Sequence, residues 1–456
     1  MYRYISQHCI YPAYEMFTGR QFLQKWGAME QSQWWDSETL KKYQLGKLKT
    51  LVNFAFEKNP YYRRQFKLLG LDPARIDGVE DFSKVPILTK DDIARNLPEF
   101  ISAGYGQSDL RKFVTGGSTG RNLTFYMDRN TFDSATARVL RGMNWFNCGF
   151  GDKRVKIWGS PIRESLRERS CTQLRNFLLR EKCISSYAMN EKTILEILRQ
   201  IQRAKPKALI GYVSALTVLA SFIEKHAIEE VRVDAILPAA ETIFQEQISL
   251  FERSFHGKVF NRYGSREFNG IAQECSFHTG MHVNAETVYV EVIKNGRPAR
   301  PGELGEIIIT DLDNFGMPFI RYRIEDLGIL SSKPCECGRG LPLLDRVEGR
   351  IYDLISCPNG SIQTGTFFSN LTRSVEGISQ FQVIQESKGK IRLKLVTQNG
   401  FRQDSKDTLT SIIREHCGET MQIDFDFVTV IEPLKSGKHR YVVSLTHDEP
   451  LIADQA

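Results

Sequence analysis

The chain has 456 residues, of which 41% are hydrophobic and 25% are charged, with a formal net charge of +7 at pH 7. A chain of this length exceeds what one hydrophobic core supports, so we expect at least two domains. The composition is ordinary for a soluble globular protein. The lysines and arginines form no dense block, which argues against nucleic-acid binding. The positive charge remains compatible with an anionic substrate or a membrane surface.

The sequence lacks the apolar segments that would carry the chain across a membrane. No apolar run approaches the roughly 20 residues of a spanning helix, and the start of the chain lacks the apolar core of a signal peptide. The nine cysteines are scattered rather than set in a short disulfide framework, which is typical of a reducing compartment. We therefore expect a cytoplasmic protein with no transmembrane segment.

Residues 1–65 mix aromatic and charged side chains. Apolar residues recur at helical spacing between Leu45 and Phe56, which predicts a helix over much of 38–57. We interpret 1–65 as a helical cap on the main domain. The alternative is that these helices contact a membrane surface.

A glycine-rich loop follows. Glycine permits positive φ and close approach to a ligand, and successive N–H groups in such a turn can bind an anion. Residues 123–127 predict a strand, so the loop should join two strands, unlike a Walker-type loop, which opens a helix. The alternative is an ordinary Gly/Ser turn. The loop consists of Thr115, Gly116, Gly117, Ser118, Thr119 and Gly120.

From residue 131 to residue 260 short apolar strands alternate with amphipathic helices. This alternation predicts βαβ crossovers and a mostly parallel sheet, and ligands of such sheets bind beyond the carboxyl ends of the strands. Glu241 and Tyr263 each follow a predicted strand end. The predicted strands are 155–158, 208–211, 235–237 and 258–260, and the predicted helices are 193–203, 216–226 and 245–255.

The pattern changes after residue 283 to antiparallel strands with turns between them. Further on, the composition changes at Gly349, where we place a domain boundary. The predicted fold class is α/β, with a large N-terminal domain of mixed, mainly parallel sheets over 1–348 and a small α+β domain over 349–456. The predicted strands are 287–293, 305–310, 319–323, 380–385, 391–396, 421–430 and 441–445, and the predicted helix is 404–416.

Short motifs occur along the chain in a distinctive order. In this order and spacing they resemble the adenylate-forming superfamily of acyl-CoA synthetases, peptide adenylation domains and luciferases. Within it they are most similar to the phenylacetate–CoA ligase group and its CapK-type branch, which is found in capsule and exopolysaccharide loci. The resemblance covers roughly residues 80–445. The motifs are the glycine-rich loop, 239–241, 263–267, 322–326, 349–353 and 437–438.

The resemblance implies that several motifs bind ATP. The glycine-rich loop would hold the β- and γ-phosphates. Ala240, Glu241 and Gly264 would line the nucleotide pocket, and Tyr263 offers a flat face for adenine. Arg350 at the domain junction would reach the ribose or a phosphate.

Three charged residues carry the implied chemistry. Glu267 would supply a hard oxygen ligand to Mg²⁺ near the phosphates. Asp326 can accept from both ribose hydroxyls. Lys438 would stabilise the negative charge that develops as a carboxylate attacks the α-phosphate.

The implied reaction joins a small carboxylic acid and ATP into acyl-AMP and pyrophosphate. Coenzyme A is the first choice of acceptor, and the small domain would swing between the two half-reactions. Transfer to an amine or hydroxyl of a sugar or amino acid, transfer of AMP itself, and a degenerate ligase that serves as a binding module are the alternatives. A homodimer is compatible with the sequence.

Residues that follow the predicted strands should line the acyl side of the same crevice. Trp158, Gly159, Tyr212 and Ser214 occupy such positions. The alternative is that they belong to the core.

A second group of residues has metal-ligating chemistry. Cys275, His282, Cys335 and Cys337 form a complete tetrahedral zinc set, and closed sites of this kind are structural. Members of the phenylacetate–CoA ligase group carry a similar pattern. His278 competes with His282 for the nitrogen position, and unmetallated thiols are the alternative to zinc.

Overall fold

A computed structural model gives the fold, and the predicted α/β class with a separate small C-terminal unit is confirmed. Within the described part of the chain no helix is long and apolar enough to cross a membrane. The described residues are 2–114, 123–158, 173–186, 189–350, 355–360, 362–363, 367–368, 371–372, 375–397, 401–432 and 441–445.

The N-terminal helices pack their apolar faces on the core of the large domain. The helix predicted over 38–57 is present, and its first turn is capped by the Asp36 carboxylate, which accepts from the Thr39 N–H. Leu48 and Leu51 of this helix are fully buried in that core. The helices are α1 (Tyr2–Ile5), α2 (Tyr11–Thr18), α3 (Phe22–Ser32), α4 (Ser37–Lys58), α5 (Pro60–Leu69), α6 (Val79–Phe82) and α7 (Lys90–Asn96), with a π-helical turn at Ser6–Ile10 and 3-10 turns at Pro73–Arg75 and Leu97–Phe100.

A β-hairpin flanks the glycine-rich loop. Strands β1 (Leu110–Val114) and β2 (Thr124–Asp128) pair antiparallel, with Val114 opposite Thr124. The loop therefore joins two strands, as predicted, although residues 115–122 themselves lie outside the described residues. Helix α8 (Arg129–Asn144) begins directly after β2, where the Asp128 carboxylate accepts from the Thr131 N–H.

The predicted parallel sheet is present, in the order β4-β3-β5-β6-β7. Its central strands are buried at every position because helices cover both faces of the sheet, which explains their unbroken apolar sequences. The elements are β3 (Arg154–Trp158), β4 (Glu181–Ser185), α9 (Glu191–Ala204), β5 (Ala208–Tyr212), α10 (Val213–Lys225), β6 (Ala235–Ala239), α11 (Gln245–Phe255) and β7 (Lys258–Val259).

An eight-stranded antiparallel sheet follows, in the order β12-β11-β13-β14-β15-β10-β9-β8. The strand predicted at 319–323 begins only at Tyr322, because Arg321 adopts a left-handed conformation with φ of 51°. The strands are β8 (Arg262–Tyr263), β9 (Ala272–Glu274), β10 (Met281–Val283), β11 (Val288–Lys294), β12 (Arg297–Pro298), β13 (Gly305–Asp311), β14 (Tyr322–Leu330) and β15 (Leu343–Arg350).

The C-terminal unit has its own sheet, in the order β20-β19-β18-β21, and its own core around Val383, Leu393 and Leu409. Strand β15 runs through position 349, so the domain boundary placed there stays a prediction. The strand predicted at 421–430 ends at Phe427. The elements are β16 (Ile355–Ser356), β17 (Ile362–Gln363), β18 (Ile378–Ser387), β19 (Lys390–Thr397), α12 (Gln403–Cys417), β20 (Gln422–Phe427) and β21 (Val442–Ser444).

Candidate active site

Two aromatic rings meet at the carboxyl edge of the parallel sheet. Trp158 ends β3 and Tyr212 ends the neighbouring strand β5, and their ring centroids lie 4.4 Å apart at an interplanar angle of 31°. The two residues thus share one wall of the crevice beyond the strand ends, where ligands of parallel sheets bind. Gly159, the next predicted residue of this wall, lies outside the described residues.

The Glu241 side chain is hydrogen-bonded to the start of helix α10 at the same edge of the parallel sheet. Its carboxylate accepts from the Ser214 N–H at 2.7 Å and from the Ser214 hydroxyl at 2.9 Å. A carboxylate is stabilised there by the positive end of the helix dipole. Ala240, just before it, adopts φ of 66°, a strained conformation of the kind that recurs at functional sites. The sequence predicted Ser214 and Glu241 as members of separate pockets, and the structure joins them in one.

Tyr263 and Asp326 come together from the two halves of the antiparallel sheet. The Tyr263 hydroxyl donates to Oδ2 of Asp326 at 2.7 Å. Strand β14 is held in place by helix α7, because Lys90 forms an ion pair with Glu325. Glu325, the residue before Asp326, has φ of 70°. This is a strained backbone conformation like that of Ala240, the residue before Glu241. The residues predicted for adenine and ribose are therefore direct neighbours.

Glu267 lies in the turn that follows Tyr263. It is only 8% exposed, and its Oε1 accepts from the Tyr322 hydroxyl at 3.4 Å. Among the described residues no lysine, arginine or histidine forms an ion pair with it. Tyr322 belongs to a motif that the sequence singled out, but its contact with Glu267 appears only in the fold.

Gly264 allows this turn to close. A Cβ atom at Gly264 would lie 3.0 Å from the backbone nitrogen of Gly270, so a larger residue would push the two backbone segments apart. The turn is completed by Ser265, whose hydroxyl accepts from the Phe268 N–H at 3.1 Å. This close approach fixes the spacing between Tyr263 and Glu267.

Arg350, the glycine-rich loop and Lys438 are the remaining predicted nucleotide contacts. The backbone of Arg350 pairs with that of Asp326 across β14 and β15, which puts the two predicted ribose contacts on neighbouring strands. The glycine-rich loop (Thr115 to Gly120) and Lys438 lie outside the described residues. Their roles stay predictions.

Four metal-ligating side chains gather beside strands β9 and β10 of the antiparallel sheet. The ligand atoms of Cys275, His282, Cys335 and Cys337 all lie within 4.8 Å of one another. We call this set the thiol–imidazole cluster. The Cys275 and Cys335 sulfurs are 3.7 Å apart, and Cys337 Sγ is 3.3 Å from His282 Nε2. Tetrahedral zinc with Zn–S bonds of about 2.3 Å separates two sulfurs by about 3.8 Å, so the donors fit this ion.

The structure decides between the two histidines. His278 is directed to Glu274, with its Nδ1 3.3 Å from Oε2, whereas His282 is fully buried beside Cys337. Burial, together with the positive charges of Arg339 and Arg141, lowers the pKa of His282 to about 4. The ring is therefore neutral at pH 7, the form in which imidazole binds metal ions.

A threonine that the sequence did not single out supports the cluster. Thr279 Oγ1 donates to Cys335 Sγ at 3.1 Å. A hydroxyl donor of this kind stabilises a thiolate and orients it. No sequence signal marked this threonine, because its position beside Cys335 depends on how β10 and the loop before β15 meet.

Known proteins are similar to this chain in sequence and in fold. Residues 354–445 match the family model of the CapK C-terminal domain. Over 402 residues the chain is 25% identical to Protein CapK of Staphylococcus aureus, with 86% of each chain covered. The predicted resemblance to CapK and to the phenylacetate–CoA ligase group is confirmed. Over 399 residues the chain is also 24% identical to the phenylacetate-coenzyme A ligase of Thermus thermophilus, with 83% of this chain and 86% of the relative covered.

Solved structures share the fold of this chain. 2-Hydroxyisobutyryl-CoA ligase in the postadenylation state, in complex with 2-HIB-AMP, matches with a TM-score of 0.73 at 20% identity, and 90% of each chain is covered. The same enzyme in the thioesterification state, with 2-HIB-AMP and CoA, matches with a TM-score of 0.62 at 19% identity, covering 90% of this chain and 91% of that one. The match is thus closer to the structure in the postadenylation state than to the structure in the thioesterification state.

Proposed function

We propose that the chain is an ATP- and Mg²⁺-dependent ligase that joins a carboxylic acid to coenzyme A through an acyl-adenylate. The observation that carries the proposal is the contact between Tyr263 and Asp326, which puts an aromatic face beside a ribose-binding carboxylate. The related phenylacetate-coenzyme A ligases and the fold shared with 2-hydroxyisobutyryl-CoA ligase support it.

In the first half-reaction a carboxylate oxygen of the acid attacks the α-phosphorus of ATP. The bond from that phosphorus to the bridging oxygen breaks, and pyrophosphate leaves. In the second half-reaction the thiol of coenzyme A adds to the acyl carbon and AMP leaves. Adenylation thus replaces a poor leaving group, oxide, by a good one. The Lys438 ammonium would stabilise the phosphate charge in the first step, and Trp158 and Tyr212 would hold the acyl group.

Glu267 fits a metal ion for a physical reason. A carboxylate that is only 8% exposed is costly to bury unless a cation or several donors compensate its charge. Within the described part of the chain the Glu267 carboxylate accepts from one side-chain hydroxyl, that of Tyr322, at 3.4 Å. Mg²⁺ prefers one or two carboxylates together with substrate phosphates. We therefore assign Glu267 as the residue that would hold Mg²⁺, which neutralises phosphate charge when it is bound.

The decisive experiment is ATP–pyrophosphate exchange across a panel of aryl, fatty, hydroxy and amino acids. We expect exchange with at least one acid class, and loss of that exchange in Glu267→Gln, because the amide keeps the shape of the side chain but removes its charge. Glu303→Gln, on the exposed turn between β12 and β13, is the matched control. No exchange with any acid, together with no ATP binding, would overturn the proposal.

We also propose that the thiol–imidazole cluster holds a structural zinc ion. The match between the sulfur separation and tetrahedral geometry supports this. Such an ion would join β9 and β10 to the loop that precedes β15. The scattered cysteines and the need for ATP and coenzyme A favour the cytoplasm as the location.

A further inference from the structure

One tyrosine of the C-terminal unit reaches across to the large domain. The Tyr441 hydroxyl accepts a hydrogen bond from Gln247 Nε2 at 3.0 Å, and its ring meets the edge of Phe244 at a centroid distance of 5.3 Å. On its own side the ring packs against Phe381 of β18, also at 5.3 Å. The Tyr441 side chain therefore contacts both the large domain and the C-terminal unit.

Hydrogen bonds within the large domain fix the side chain of Gln247, which donates to Tyr441. Gln247 is only 8% exposed, and its Oε1 accepts from the Phe244 N–H at 3.0 Å. The backbone donor fixes the orientation of the amide, so that Nε2 must face outward. Nε2 also lies 3.4 Å from Thr217 Oγ1 on the adjacent helix α10. The donor for Tyr441 is thus oriented before the domains meet.

The contact lies beside the candidate active site. Helix α11, which carries Gln247, begins four residues after Glu241 at the carboxyl edge of the parallel sheet. Burial and the nearby Glu241 carboxylate raise the pKa of Tyr441 to about 12, so the hydroxyl stays protonated at physiological pH. Lys438 precedes Tyr441 by three residues, so the two Cα atoms can be separated by at most about 11 Å.

We propose that the contact between Tyr441 and Gln247 is a latch that holds the C-terminal unit in the adenylate-forming arrangement and opens before thioester formation. The inference rests on the proposed function and adds a positioning residue to it. The closer match of the chain to the postadenylation state than to the thioesterification state supports this assignment. The latch would act on Lys438 through the three-residue connection between Lys438 and Tyr441.

The test separates the two half-reactions. We expect Tyr441→Phe and Gln247→Leu each to slow single-turnover pyrophosphate formation about fivefold, the size of effect typical for one lost hydrogen bond. Thioester formation from supplied acyl-adenylate and coenzyme A should be unchanged or faster. The double variant should be no slower than either single variant, because both remove the same contact.

The matched control is Tyr62→Phe. Tyr62 is a buried tyrosine whose hydroxyl donates to the Pro318 carbonyl within the large domain at 3.1 Å. If the loss of this hydroxyl has any effect, it should change the rates of both half-reactions by the same factor. Equal slowing of both half-reactions in Tyr441→Phe, or an unchanged rate of pyrophosphate formation, would overturn the latch.

Hydrogen–deuterium exchange gives a readout that does not depend on catalysis. In the free wild-type protein we expect slow exchange over 441–445 and at the start of helix α11, and faster exchange at both places in Tyr441→Phe and Gln247→Leu. Unchanged exchange would refute the latch even if the enzyme is active. Faster exchange in a protein that forms no acyl-adenylate with any acid would support the interdomain contact and refute the proposed function.

Discussion

The antiparallel sheet carries the thiol–imidazole cluster at one place and the predicted nucleotide contacts Tyr263, Glu267 and Asp326 at another, and the two differ in where their partners come from. The cluster draws its four donors from β9, β10 and the loop before β15, and all four are already within 4.8 Å of one another. The predicted nucleotide contacts would be completed by further groups from the glycine-rich loop and the C-terminal unit. A structural site is closed by neighbouring strands, whereas a site that admits substrates and releases products must be completed by parts that move.

We expect the largest effect from Lys438, the predicted nucleotide-site residue nearest the C-terminus. Lys438→Ala should slow acyl-adenylate formation by about 10² to 10³-fold, because it removes a positive charge from the transition state. Thioester formation from supplied acyl-adenylate should be much less affected.

The control for this prediction is Lys435→Ala, which alters a lysine of the same segment. Stopped-flow or quenched measurement of pyrophosphate release compares the two variants. If Lys438→Ala left acyl-adenylate formation unchanged, the catalytic lysine would lie elsewhere, and the nucleotide site would need no group from the C-terminal unit.

The closed cluster should respond in stability. Cys335→Ser should abolish zinc binding and lower the free energy of unfolding by at least about 2 kcal/mol, because three ligands cannot hold the ion in a closed site. Metal analysis and urea unfolding measure the two effects, with the exposed Cys9→Ser as control. A wild-type protein prepared under reducing, chelator-free conditions that contains less than about half an equivalent of zinc would show that the thiols are unmetallated.

A smaller effect should follow from removing one hydroxyl of the nucleotide site. Tyr263→Phe keeps the aromatic face but loses the hydrogen bond to Asp326, so the KM for ATP should rise about tenfold, as expected for a bond to a charged acceptor. Tyr61→Phe is the control, because the Tyr61 ring is stacked on Phe100 and makes no contact with Tyr263 or Asp326 among the aromatic pairs of the described residues. An unchanged KM would mean that Tyr263 does not orient Asp326 for the nucleotide.

The smallest effect should be at Thr279. Thr279→Val removes one hydrogen bond to Cys335 while all four ligands remain, so zinc should still bind but with about threefold lower affinity in a chelator competition. ATP–pyrophosphate exchange should not change. Loss of exchange in this variant would mean that the two regions are coupled rather than independent.

The sequence predicted the secondary structure well where periodicity was strong. Helix α11 has the bounds that the pattern indicated, and β3, β5, β6 and β7 of the parallel sheet fall within a residue or two of their predicted positions. The edge strand β4 was not predicted. The predictions were less accurate near Arg321, where a left-handed residue delays the start of β14. A single backbone conformation of this kind depends on tertiary contacts, here the buried hydrogen bonds of Arg321 to the Ser83 and Val85 carbonyls.

The residue types of the candidate site were also readable from the sequence, since each motif carries its chemistry in its side chains. The sequence did not show which of these residues contact one another. The choice of His282 over His278, the capping of helix α10 by Glu241 through Ser214, and the contact of Tyr322 with Glu267 all depend on which strand ends meet.

By itself the sequence determined most of the order of strands and helices, the α/β class, the resemblance to adenylate-forming ligases and the side chains predicted to bind ATP, acid and metal. Local periodicity and short motifs are properties of neighbouring residues, so the chain encodes them directly. Only the tertiary structure decided how distant segments meet, as in the contact of Tyr441 with Gln247, which are 194 positions apart. Such contacts form because sheet pairing and buried apolar faces bring the segments together, and no local pattern records them.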